Sequence, residues 1–106
     1  MGILDLLKGI DINTGVNRYQ ETENAILIDV RDRSEYEAGH IPGSKNLPLA
    51  DIDRIPEIVR EKDMAVFTYC LSGRRSGNAV SALKAKGYTN VTNIGGINGY
   101  KGPLEK

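Results

Sequence analysis

Short apolar runs alternate with helical segments along the whole chain. The run AILIDV, residues 25–30, is near-continuously apolar and carries Asp29 near its end. A run of that kind suits a strand buried on both faces. MAVFTY, residues 64–69, is a second buried strand of the same type. Shorter runs add to these two. IDIN, residues 10–13, reads as the end of a first strand, with Asn13 or Thr14 capping a helix over VNRYQET. KNLPL is a brief strand that Pro48 keeps short. NVTNI is a last strand, and GGINGYKG a loop with at most a short helix.

The helical segments fall between these strands. ILDLL near the start reads as a short amphipathic helix, and SEYEAGH as a helix stopped by Gly39, with the Pro-Gly turn of HIPGS after it. Asp51 begins a helix that continues through IPEIVREK. SGNAVSALKAKG runs from Ser76 to Gly87, and its apolar residues Ala79, Val80 and Leu83 recur at helical spacing, placing one face on a sheet. The alternation predicts an α/β domain with a mostly parallel central sheet of about five strands, flanked by helices. No repeat or linker interrupts it, and residues 1–106 read as a single domain. In such sheets ligands bind beyond the C-terminal strand ends. Asp29 closes one strong strand and Cys70 follows the other.

Composition narrows the function. Of 106 residues, 40% are hydrophobic and 26% charged, as in an ordinary globule. Fourteen Lys and Arg balance fourteen Asp and Glu. That balance gives no support to nucleic acid or an anionic membrane as a general partner. One cysteine cannot form an internal disulfide, so a reducing, cytoplasmic setting suits the chain. The N-terminus lacks the basic region and cleavage site of a signal peptide, and no apolar run approaches the length of a membrane span. The neutral chain allows a monomer or weak dimer.

The single cysteine lies in YCLSGRRSG, residues 69–77. A thiol attacks as its thiolate, and a free cysteine with pKa ~8.5 is mostly protonated at neutral pH. Three features here favour the thiolate. A helix begins just after the cysteine, and its unpaired amides attract negative charge. Gly73 lets successive N–H groups turn inward as an anion nest. Arg74 and Arg75 add positive charge. A lone cysteine after a strand is ordinarily a small buried hydrophobe. Few packing reasons place two arginines in a tight turn beside one, so the context favours a reactive thiol.

The loop C-L-S-G-R-R-S resembles the rhodanese active-site loop, of the form C-x-x-G-x-R-S. LIDVRDRSEYEAGHIPGSKNLPL resembles that family's other signature, a strand ending in D-V-R, an acidic helix and G-H-I-P-G before a short strand. NIGGINGYKG resembles its closing glycine-rich segment, with Tyr100 where tryptophan is common. The resemblance implies a three-layer rhodanese-like domain and a sulfurtransferase without a cofactor or metal. Cys70 would take the sulfane sulfur of a small anionic donor such as thiosulfate and become a persulfide. Cyanide or a thiol, thioredoxin or another thiol protein among them, would then remove it. The amides from Leu71 through Ser72, Gly73, Arg74 and Arg75 to Ser76 would stabilise the anion. Arg75 would shape the loop and hold the donor's charge, with Arg74 at the mouth. Ser76 bonds the sulfur or caps the helix, the cap being preferred. Related phosphatases of this fold carry one more residue between cysteine and arginine, so the short loop disfavours a phosphatase or arsenate reductase. The other alternative is a carrier or signalling module that delivers the persulfide to a protein partner, which an apolar rim around the cradle would favour.

Asp29, Arg31 and His40 take supporting places in that scheme. A pre-formed thiolate needs no base, so Asp29 is expected to hold backbone N–H groups instead. Arg31 is expected to pair with Glu35 or Glu37 on the surface. His40, the only histidine, is expected to be a turn residue of Gly-His-Ile-Pro-Gly, too solitary to build a metal site with Cys70. Tyr69 is assigned to strand packing and Tyr100 to a pocket wall. Gly95, Gly96 and Gly99 either bring the final loop close to the cradle or simply turn the chain.

Overall fold

The computed structural model describes residues 10–106. The amphipathic stretch ILDLL lies outside them. In chain order the elements are helix α1 (Ile12–Glu21), strand β1 (Ile26–Asp29), helix α2 (Arg33–Ala38), strand β2 (Lys45–Asn46) and a 3-10 segment (Leu49–Glu57). Strand β3 (Val66–Cys70), helix α3 (Arg74–Ala85), strand β4 (Val91–Gly96) and a 3-10 turn (Ile97–Gly99) follow. The described residues form one four-stranded sheet in the order β2-β1-β3-β4, parallel throughout. The expected α/β class and parallel sheet are found, with four strands rather than about five. No helix among the described residues is long and apolar enough to cross a membrane.

IDIN is not a strand among the described residues. Its apolar-polar alternation imitates a strand, but Ile12 already belongs to α1. Asp11, not Asn13 or Thr14, is the cap: its carboxylate accepts from the amides of Asn13 at 3.1 Å and Thr14 at 3.3 Å. The segment after Pro48 also departs from expectation. It is a 3-10 segment that ends at Glu57, with a break in helical geometry at Asp51. Pro56 lies inside it and has no N–H to donate to an α-helical ladder.

Strand alternation builds the two cores. Val66, Thr68 and Cys70 of β3 face one way, and Phe67 and Tyr69 the other. On the first face Ala79 and Leu83 of α3 and Ile52 and Ile55 of the 3-10 segment cover Ile28, Val30 and Val66. On the opposite face α1 covers Leu27, Phe67, Tyr69 and Ile94. Leu83 is fully buried, and burying such a side chain stabilises the fold by about 1.5–3 kcal/mol. Cys70, last on β3, is thereby aimed toward the N-terminal end of α3.

Candidate active site

The turn from β3 into α3 carries the cysteine and the groups that bond it. Gly73 is the residue before α3 and has φ +98°, a left-handed conformation that L side chains rarely adopt. That conformation turns its N–H back onto the cysteine, where it donates to Cys70 Sγ at 3.0 Å. The Ser76 hydroxyl lies 3.5 Å from the same sulfur. Burial pushes the thiol up, but the Ser76 hydroxyl and the amides of Ser76, Gly73 and Ser72 together outweigh it, leaving Cys70 below the ordinary thiol value. Cys70 is only 1% exposed. One side of it meets the apolar core, and the other meets these donors. The sulfur is therefore buried but polar-lined.

The loop's remaining residues divide by exposure. Leu71, Ser72 and Arg74 are exposed, while Gly73 and Ser76 are buried. Ser76 is not the helix cap, because α3 starts two residues earlier, at Arg74. Its hydroxyl faces inward, toward the sulfur, the Gly73 carbonyl at 3.1 Å and Asn93 Oδ1 at 2.7 Å.

Arg75 is engaged. Its guanidinium bonds the Glu35 carboxylate of α2 through two contacts, 2.7 and 3.1 Å. This pair ties the acidic helix to the cysteine loop. Glu35 is held below the usual carboxylate range, first by the hydrogen bond from Arg75. Arg31 does not pair with Glu35 or Glu37 as expected. Glu37 binds Arg33. Arg31 is buried instead, and it wraps back onto Asp29 at 2.7 Å and onto the Gly39 carbonyl at 2.7 Å. Asp29, fully buried, also accepts the Arg31 amide at 2.8 Å. It holds the turn after β1 as a backbone acceptor.

His40 lies in the GHIPG turn. Its backbone exchanges two 2.8 Å bonds with Glu105, its ring stacks on Tyr36, and its Nδ1 lies 2.9 Å from the Tyr36 carbonyl. Tyr69 does more than pack: its hydroxyl accepts the Ile41 amide at 3.1 Å and lies 2.9 Å from Ser44 Oγ. Tyr100 packs on the cluster beneath α1. Of the closing glycines, Gly96 makes the close approach. A Cβ there would stand 2.3 Å from the Leu71 carbonyl oxygen and 2.6 Å from Ser72 Cα. The Asn98 amide completes the contact by donating to the Leu71 carbonyl at 3.2 Å.

Asn93 escaped the sequence reading. It is buried on β4 opposite Thr68, and it bonds both Ser76 and, through Nδ2 at 3.0 Å, the Gly73 carbonyl. The available signal was an amide inside an apolar strand, since a buried polar group must have partners.

A protein-family model described as the rhodanese-like domain matches residues 14–103. Thiosulfate sulfurtransferase PspE of Escherichia coli is 42% identical over 71 residues, 66% of this chain and 68% of that protein. The putative sulfur carrier protein YrkF of Bacillus subtilis is 32% identical over 85 residues, which is 80% of this chain but 45% of YrkF. The solved structure of a rhodanese with anions from E. coli has a TM-score of 0.72 at 38% identity, covering 77% of this chain and 98% of that one. With a cysteine turn of the matching motif at the end of a parallel strand, the chain belongs to the rhodanese-like domain family.

Proposed function

We propose that the chain is a sulfurtransferase that moves a sulfane sulfur through a persulfide on Cys70. The observation that carries this reading is the Gly73 amide 3.0 Å from Sγ, with the Ser76 hydroxyl beside it, at the sole cysteine. The Gly73 amide, held in place by the turn, stabilises an anion without reorganising during reaction. The thiolate attacks the outer sulfur of thiosulfate. A sulfur–sulfur bond forms to Cys70, the donor's own sulfur–sulfur bond breaks, and sulfite leaves with the electron pair. Cyanide or a thiolate then attacks the outer sulfur of the persulfide, and Cys70 departs as thiolate. The second anion occupies the same cradle of amides from Leu71 to Ser76.

Arg74 and Arg75 divide the remaining work. Arg75, bound to Glu35, braces the loop and contributes field at the sulfur. Arg74 is exposed at the start of α3 and is the cation that meets an incoming anionic donor. Because the sulfur is buried, its donor enters where Leu71 and Ser72 are exposed. Asp29, Arg31 and His40 hold the frame and touch no reacting atom in this scheme.

Steady-state kinetics test the proposal. Varying thiosulfate at several cyanide concentrations gives parallel double-reciprocal lines, as two-step covalent transfer requires, and Cys70→Ala has no activity. Release of phosphate from an aryl phosphate, with no sulfite from thiosulfate, contradicts it. A second reading, delivery of the persulfide to a protein partner, is favoured by Leu71. This apolar side chain is 46% exposed directly beside the nucleophile. That reading gains if Cys70 loads with sulfur but cyanide turnover is negligible.

A further inference from the structure

The Ser76 hydroxyl has one proton and three acceptors in reach: Asn93 Oδ1 at 2.7 Å, the Gly73 carbonyl at 3.1 Å and Cys70 Sγ at 3.5 Å. Two of these acceptors can be ruled on by counting lone pairs. The Gly73 carbonyl already accepts the Gly77 amide at 3.1 Å and Asn93 Nδ2 at 3.0 Å, which fills both of its sites. Asn93 Oδ1 accepts the Gly95 amide at 2.9 Å and has one site left. The Gly95 amide also fixes which end of the Asn93 carboxamide is oxygen. At 2.7 Å, two oxygens without a proton between them would repel, so the Ser76 proton lies on the Asn93 side. Ser76 then turns a lone pair toward the sulfur, ready to accept the thiol S–H.

The strand geometry explains why Asn93 reaches this position. The β3–β4 register pairs Thr68 with Asn93 and then Cys70 with Gly96, so β4 carries one extra residue there. Bulges of this kind re-aim side chains near sites. Here the bulge brings both Gly95 N–H and Asn93 beneath the cysteine turn.

We propose that Asn93 is a positioning residue for the sulfur: its carboxamide holds the Ser76 proton away from Cys70 at rest and pins the Gly73 carbonyl behind the loop. This deepens the reading of Cys70 as the reactive thiol. When the sulfur ionises or carries a second sulfur, the hydroxyl rotates toward it. Asn93 Oδ1 keeps the Gly95 amide, so the rotation leaves no buried acceptor bare. The charge whose field reaches the sulfur is that of Arg75 on α3, while Thr68, Ser76 and Asn93 are neutral.

The test titrates the Cys70 thiol by thiolate absorbance and by alkylation rate, neither of which depends on sulfur transfer. Asn93→Leu removes the competing acceptor and moves the midpoint down by about half a unit, roughly threefold in thiolate fraction below the midpoint. Asn93→Asp, nearly isosteric, binds the Ser76 proton more strongly and moves the midpoint up. In a Ser76→Ala background the Leu shift vanishes and the Asp shift shrinks to its through-space charge effect. Equal shifts in the two backgrounds, or a rise with Asn93→Leu, overturn the proposal. If Asn93→Leu does not fold, the Asn93→Asp pair of measurements decides alone. Loss of sulfur transfer in every protein with these shifts intact would instead count against the proposed function.

Discussion

At Cys70 two opposing effects meet, and their balance is measurable. Burial alone would keep the sulfur protonated, yet several hydrogen-bond donors aimed at one atom depress its pKa. The midpoint for alkylation of Cys70 is therefore expected below the ~8.5 of a free cysteine, and urea removes the difference. The sign for stability follows. A depressed thiol stabilises the fold fully above the unfolded value, and that contribution disappears as pH falls through the lower folded value. Glu35 behaves likewise in acid. Its bond to Arg75 is present above the ordinary glutamate value of ~4.3 and is lost as pH falls through the lower folded one. Both partners are about a third exposed, so Glu35→Gln should cost about 1 kcal/mol or less at neutral pH. Urea midpoints should show that cost shrinking toward zero in acid. The cysteine, glycine and arginines of the loop were legible because each has distinctive local chemistry. The Arg75–Glu35 pair was not, because its partners are far apart in sequence. Asn93 was hidden for the same reason, and an amide in a strand carries no motif.

At the scale of elements, the site depends on three strand ends meeting one helix start. The buried runs at β1 and β3 were plain, since a strand covered on both faces has little choice of residues. The first helix was displaced because Ile10 and Ile12 flank an aspartate, an alternation that fits a strand as well as a capped helix start. Only the Asp11 carboxylate on the Asn13 and Thr14 amides resolves it. Two predictions belong to this scale. Gly96→Ala places a methyl group against the Leu71 carbonyl and Ser72. The cysteine turn must shift, and sulfur loading should slow by roughly ten- to a hundredfold, read by rapid-mixing mass spectrometry. A rate within twofold of the parent would mean the turn does not need that contact. Asp29→Asn leaves the buried Arg31 guanidinium without its counter-charge. Breaking such a pair costs about 3–5 kcal/mol, visible as a large fall in the urea midpoint.

At the scale of the whole molecule, an α/β domain of zero formal net charge gathers its candidate site residues at one end of a parallel sheet. β1 ends in the Asp29–Arg31 pair, β3 ends in Cys70, and the bulged end of β4 closes on the turn between β3 and α3. The balanced charge supplies no general field for anions, so under the proposed function their attraction falls to Arg74 and the loop. Intact-mass spectrometry of the protein after exposure to thiosulfate tests this account most directly. A gain of one sulfur atom, removed by cyanide and absent from Cys70→Ala, is the predicted result. An unchanged mass for the folded parent protein, or the same gain in Cys70→Ala, would contradict it.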